Sequence, residues 1–201
     1  MKLYFATATC SHAAHIALRE ADLAFELVRM DMKTHNLPDG RGIAAVNDKG
    51  YVPVLELDDG ARLSEVAAIL QYVADRVPDR KLAPVPTSFE RYRLVEWLSF
   101  IGMELHKPFW PLFHQGTDIE NSKAREKIGK SLAWVAEHLG DKPYLMGEFS
   151  VADAYLTTVL NWTRAGGIDL DQWPRLKDYW KRVRARPAVT AALEAEGLLK
   201  K

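Results

Sequence analysis

The chain has 201 residues, 48% of them apolar, with 27 basic side chains balanced by 27 acidic ones. That apolar share supports a packed core and excludes wholesale disorder, and the zero net charge argues against the concentrated basic face of a nucleic-acid or anionic-membrane binder. No apolar run reaches the roughly 18 residues of a membrane span, and a lone cysteine, Cys10, excludes an internal disulfide.

The N-terminus is broken by Cys10, Ser11, His12 and His15 and makes a poor signal peptide, so a cytoplasmic protein is expected. Lys2 to Ala6 reads as a short strand. From Ser11 the apolar residues Ala14, Ile16, Ala17 and Leu18 give a helix that ends at Arg19-Glu20. Phe25 to Met30 is a second strand, and Lys33 to Arg41, with Pro38 and Gly40, a loop. Tyr51 to Leu55 is a third strand, whose Pro53 belongs at a strand start or edge. Asp58-Asp59-Gly60 marks a hairpin. Ser64 is expected to cap a helix carrying Val66, Ile69, Leu70 and Val73.

The pattern then changes. Val77-Pro78-Asp79 and Ala83-Pro84-Val85-Pro86 read as a linker, and no strand is expected beyond Ser88. Helices are expected over Phe89 to about Pro108, Ser122 to Leu139, Val151 to about Ala165 and Arg175 to Arg186. Pro187 interrupts, and a short helix runs to Glu196. The Val151 helix has a capping box, Ser150 with Asp153, flanked by Phe149 and Ala154 at the staple positions. The chain therefore divides into an α/β domain (1–80), a linker (81–87) and an all-α domain (88–201).

Cys10 stands where the first strand turns into the first helix. Unpaired N–H groups and the helix dipole favour thiolate there, so a pKa below about 8.5 is expected; an inert buried cysteine is the other reading. On the long helix Leu94, Leu98, Ile101 and Leu105 form a core stripe. Ser99 and His106 share a face with Met103 between them, and Glu104 and Lys107 flank the stripe. Beside a thiolate, His106 and Lys107 would supply a hydrogen bond and positive charge; they equally suit a helix end before Pro108. Trp97 and Phe100 occupy a further face, consistent with burial against a second subunit. Phe109, Trp110, Phe113 and Trp162 are either core or the lining of an apolar pocket. The histidines show no ligand spacing with Cys or carboxylates, so no metal is expected.

Read in order, Cys10-Ser11, His15-Ile16-Ala17-Leu18-Arg19-Glu20, Val46-Asn47, Lys49-Gly50-Tyr51-Val52-Pro53, Leu57-Asp58-Asp59-Gly60, Ser64-Glu65, Glu96-Trp97-Leu98, Glu104-Leu105-His106-Lys107 and Ala152-Asp153-Ala154-Tyr155 resemble the bacterial beta-class glutathione S-transferases over nearly the whole chain. The resemblance implies a thioredoxin-like N-terminal domain, an all-α C-terminal domain and a homodimer. It also implies glutathione as co-substrate and a small hydrophobic electrophile bound between the domains. The Val52-Pro53 bond would be cis, with the Val52 backbone on the cysteinyl part of glutathione. Glu65 would pair with the γ-glutamyl ammonium and the Val66 N–H with its carboxylate, and His35 would face the glycyl carboxylate. His106 and Lys107 would line the cleft near Cys10, and Ser99, Met103 and Glu104 would complete the glutathione site, Ser99 reaching the partner subunit's ligand. Catalysis would rest on Cys10, His106 and Lys107, with thiol–disulfide exchange through Cys10 as a second activity.

The chain departs from the family at Thr7-Ala8-Thr9, where relatives have Pro-Gly-Ala, and at His12, where they have an apolar residue. Phe5 lacks the hydroxyl of the usual tyrosine, and Tyr4 points to the other side of its strand. His35 replaces a lysine, Val66 a Gly or Ser, and Ser99 an Asn. A protein that merely sequesters apolar compounds, or a regulatory protein on the same scaffold, is the alternative.

Overall fold

The computed structural model describes residues 1–199. The chain forms two compact units, one of residues 1–83 with residue 186 onward and one of residues 84–185.

The first unit is a four-stranded mixed sheet with helices. β1 (Lys2–Phe5) pairs in parallel with β2 (Glu26–Arg29), Leu3 opposite Leu27. A parallel pair needs a crossover, and α1 (Ser11–Glu20) supplies it. β3 (Val54–Glu56) runs antiparallel to β1, and β4 (Arg62–Ser64) antiparallel to β3, giving the order β2-β1-β3-β4. β3 begins later than expected because Pro53 brings no N–H to the ladder. Leu3, Leu55, Ile16, Ile69 and Leu70 are fully buried. α2 (Val66–Asp75) packs on α1, as does α8 (Pro187–Ala195). The last helix therefore belongs with the α/β unit, which corrects the expected all-α domain of 88–201. Its polar flanks explain this: Arg186 forms a two-pronged ion pair with Glu20 on α1, at 2.6 and 2.8 Å, and Glu196 reaches His12 and His15.

The second unit is helical. α3 (Phe89–Phe100) starts at Ser88, whose hydroxyl accepts the Arg91 N–H. The expected single helix to Pro108 instead changes character. Residues Ile101–His106 form a π-helical turn, Lys107–Phe109 a 3-10 turn, and α4 (Trp110–Phe113) follows. Pro108 has no N–H to offer the Glu104 carbonyl, and the Lys107 N–H bonds Gly102, five residues back. The stripe Leu94, Leu98, Ile101 and Leu105 is buried as expected.

α5 (Asp118–Leu139) begins four residues before the expected Ser122, behind a Thr117–Glu120 capping box. α6 (Val151–Leu160) is buried along its whole length, its polar residues Asp153, Thr157 and Thr158 included. It ends before the expected Ala165. α7 (Pro174–Arg184) follows. Asp153 anchors the start of α6. Its carboxylate accepts the Ser150 N–H (2.8 Å) and hydroxyl (3.0 Å), the Leu145 N–H (2.9 Å) and the Tyr179 hydroxyl (2.8 Å). Among the described residues, no helix is long and apolar enough to cross a membrane.

Candidate functional site

The loop from β1 into α1 is held by short side chains. Ser11 Oγ accepts the Ala6 N–H at 3.1 Å and lies 2.7 Å from Thr9 Oγ1, which donates to the Ala6 carbonyl at 2.8 Å. Ala8 takes a left-handed φ of 62°. Cys10 then caps α1 with helical backbone angles. Its S–H donates to the Val52 carbonyl at 3.7 Å, and the Val52-Pro53 bond is cis.

The expected ionisation of Cys10 is reversed. The residue is only partly buried by surface area, yet burial of the sulfur pushes its thiol up to about 12. The N–H groups of Cys10 and Ser11 pull the other way, and the Glu65 carboxylate adds to the rise. Desolvation thus outweighs the helix start, and the resting residue is a protonated thiol and a hydrogen-bond donor.

Glu65, not Ser64, occupies the cap position of α2, with φ 70° and ψ 123°. Ser64 lies in β4 and its hydroxyl accepts the Lys49 ammonium at 3.0 Å. The Glu65 carboxylate turns away from the helix and accepts Lys49 Nζ (2.8 Å) and the Tyr51 hydroxyl (2.5 Å). The Glu65 side chain makes no capping hydrogen bond to α2, and helix starts in general favour anions through their first N–H groups. His35 is exposed, with φ 58°, in a turn built on the Asp31 carboxylate, which accepts the N–H groups of Lys33 and Thr34. Those bonds hold Asp31 below the usual carboxylate range.

Behind Cys10 lies a cluster without a local sequence signal. Glu196 Oε1 is 2.7 Å from His12 Nδ1 and 2.8 Å from His15 Nδ1, and all three side chains are buried. Glu196 Oε2 accepts the Ala8 N–H at 3.4 Å, and Arg19 Nε donates to His15 Nε2 at 2.8 Å. This fixes His15 as the Nδ1–H tautomer. Burial opposes ionisation of Glu196, but bonds from both imidazoles outweigh it and hold the carboxyl at about 2. Burial also pushes His15 down, against the pull of Glu196.

Histidines and a carboxylate that show no ligand spacing along the sequence thus converge in the fold. The three ligand atoms lie within 4.8 Å of one another, because the carboxylate arrives from 181 residues away. The set does not suit a cation: each Nδ1 is spent on Glu196, and a guanidinium abuts His15.

In the helical unit Ser99, Met103 and Lys107 are exposed, and Glu104 pairs with Lys127 at 3.1 Å. Lys107 Nζ sits over the Trp110 ring. His106, half-buried, lies with Nδ1 2.7 Å from the Tyr155 hydroxyl and its ring 5.0 Å from Trp162. Phe109 and Trp162 are core, whereas Trp110 and Phe113 are exposed. Trp97 and Phe100 cluster with Trp134, the Phe100 and Trp134 rings 4.6 Å apart. Lys49, Tyr51, Tyr155 and Glu196 are additions the sequence did not mark as site residues, although Lys49, Tyr51 and Tyr155 lie inside the motifs quoted above.

Two family descriptions match the chain: glutathione S-transferase, N-terminal domain, over residues 8–76, and glutathione S-transferase, C-terminal domain, over 100–187. The chain is 44% identical to glutathione S-transferase GstA of Escherichia coli O157:H7, covering 98% of this chain and 100% of that one. It is similar to a bacterial beta-class glutathione S-transferase from Sphingomonas chungbukensis, with TM-score 0.95, 44% identity and coverage of 99% and 100%. A sphingomonad glutathione S-transferase complexed with glutathione gives TM-score 0.95, 43% identity and coverage of 99% and 100%. With both domain descriptions matched and identity sustained from end to end, the chain belongs to the glutathione S-transferases, and within them to the bacterial beta class.

Proposed function

We infer that this transferase binds glutathione on its α/β unit and conjugates it to small hydrophobic electrophiles. One observation carries the reading. An α2 start headed by Glu65, whose side chain makes no capping hydrogen bond, accompanies a Cys10 sulfur that lies 3.7 Å from the Val52 carbonyl. The Val66 N–H and its neighbours suit the γ-glutamyl carboxylate, and the Glu65 carboxylate suits the adjacent ammonium. The backbone of Val52, before Pro53, receives the cysteinyl part, and His35 faces the glycyl carboxylate. On the helical unit His106 and Lys107 offer an imidazole and an ammonium, groups that favour an anion. The thiol proton leaves to solvent, the sulfur lone pair forms the S–C bond, and a leaving group departs with its own bonding pair.

Cys10, as a neutral thiol, donates a hydrogen bond in this scheme. Its position beside Val52 also supports thiol–disulfide exchange as a slower second activity. There the small fraction of Cys10 thiolate attacks oxidised glutathione, forms a mixed disulfide and expels one glutathione thiolate. The exposed Ser99 and Met103, with Glu104, serve the glutathione site of a homodimer.

The test is steady-state conjugation of 1-chloro-2,4-dinitrobenzene, with binding to immobilised glutathione in parallel. Saturable turnover and retention on the resin are expected. Retention of apolar dyes with neither turnover nor glutathione binding would replace the enzyme reading with a sequestering protein.

A further inference from the structure

Tyr51 joins two parts of the α/β unit that the proposed binding mode uses. The next residue, Val52, gives its backbone to the cysteinyl part of glutathione, and the Tyr51 hydroxyl donates to Glu65 Oε1 at 2.5 Å. The Tyr51 backbone is pinned. Asn47, 7% exposed, donates from Nδ2 to the Tyr51 carbonyl at 2.7 Å, and the Gly50 N–H donates to the Asn47 carbonyl at 2.8 Å. Gly50 takes φ 77° in this turn, which an L side chain would resist. At the other end of the bond, Glu65 has φ 70°. That left-handed conformation persists only where the surroundings hold it.

Lys49 Nζ reaches the same carboxylate oxygen at 2.8 Å and Ser64 Oγ at 3.0 Å. The two donors differ in what they do when a ligand ammonium arrives. One ammonium repels another, and the Lys49 stem is long, flexible and exposed. A phenol donates without bringing charge, and its ring has only two side-chain torsions to fix. The bond to Glu65 raises the Tyr51 pKa, so the phenol keeps its proton in the neutral range. The hydroxyl is therefore the donor that holds the carboxylate in place while a positive group binds it. We propose that Tyr51 is a positioning residue for glutathione, its hydroxyl fixing the Glu65 carboxylate relative to the Val52 backbone so that the γ-glutamyl ammonium and the cysteinyl part are met together. This rests on the reading that Glu65 pairs with that ammonium.

Calorimetric titration of the full chain with two unreactive probes tests this role. One is S-methylglutathione, and the other is its deamino analogue, in which a glutaryl group replaces the γ-glutamyl group. The wild type should bind the first about tenfold more tightly. Tyr51→Phe should raise the Kd of S-methylglutathione and leave that of the analogue unchanged, so that the preference falls to about threefold. Other interactions also hold Glu65, so the loss is partial. In steady state, KM for glutathione should rise with kcat unchanged. In Glu65→Gln the preference should vanish, and adding Tyr51→Phe should change neither Kd.

Equal weakening of both probes by Tyr51→Phe, or an unchanged preference, would show that the hydroxyl does not act through Glu65 and would overturn the proposal. So would a further loss from Tyr51→Phe in the Glu65→Gln background. A wild type that prefers neither probe, or a preference that survives Glu65→Gln, would instead overturn the placement of the ammonium at Glu65, and the positioning role with it.

Discussion

At Cys10 two opposing effects act on one atom. Three sequence features are simple to see: the lone sulfur, the helix start and the family spacing. They predict a thiolate. The sequence does not show how deeply the sulfur is packed, nor that the Glu65 carboxylate raises its pKa further. With a thiol near 12, the reactive fraction at pH 7.5 is about three thousandfold below that of free cysteine. Alkylation by iodoacetamide, followed by mass spectrometry, should be correspondingly slow without glutathione and should rise about tenfold per pH unit up to pH 11. A plateau below pH 9 would restore the thiolate reading. Glu65 was legible because a carboxylate after Ser64 sits in a quoted motif. Its anchors Lys49 and Tyr51 lie in a neighbouring motif, but only the folded hairpin shows them bonding it. Glu65→Gln should raise KM for glutathione about tenfold and leave kcat nearly unchanged, since the ammonium contact is equal in ground and transition states. A fall in kcat with KM constant would count against that contact.

Among the elements, those with a strong period or a clear cap were read with small boundary errors. The α1 helix, the hairpin at Asp58-Asp59-Gly60 and the α6 start follow from local residues alone. The π-helical turn before Pro108 did not, because the apolar stripe continues through it and only the hydrogen-bond register changes. Pro108→Ala should restore a donor for the Glu104 carbonyl and allow an ordinary α-helical register, which moves His106 off Tyr155. The expected outcome is unchanged or higher helicity by circular dichroism with a lower kcat. At the other end of that contact, Asp153→Ala leaves the N–H groups of Leu145 and Ser150 and the Tyr179 hydroxyl without their acceptor. Each buried orphan costs about 1–3 kcal/mol, so a loss of roughly 3–5 kcal/mol in urea unfolding is expected. Ser150→Ala, which removes a bond the Asp153 carboxylate partly replaces, should cost about 1 kcal/mol.

On the scale of the molecule, the mixed sheet and the helical remainder follow from patterning, but the return of the chain's end to its beginning does not. Arg186 and Glu196 carry no local mark of their partners Glu20, His12 and His15, which lie 166 to 184 residues away. This long-range closure gives the α/β unit a pH dependence whose sign can be worked out. Glu196 is held at about 2 in the native state against about 4.3 for a free glutamate. A depressed carboxyl stabilises above its unfolded value and ceases to do so as pH falls through its native value. Its contribution is about 3 kcal/mol at neutral pH, of which about 2 kcal/mol is gone by pH 3. His15 is pushed down by burial, so the unfolded chain takes up its proton first, and stability declines as pH falls below about 6.5. Both effects act in the same direction. Urea midpoints taken from pH 7.5 to pH 3 should therefore fall steadily in the wild type. Glu196→Gln should be less stable at pH 7 and should flatten the decline between pH 4.5 and pH 3, because no carboxyl remains there to protonate. An unchanged slope in that variant would mean that acid acts elsewhere, and the paired imidazoles would then have no part in holding the C-terminal helix to α1.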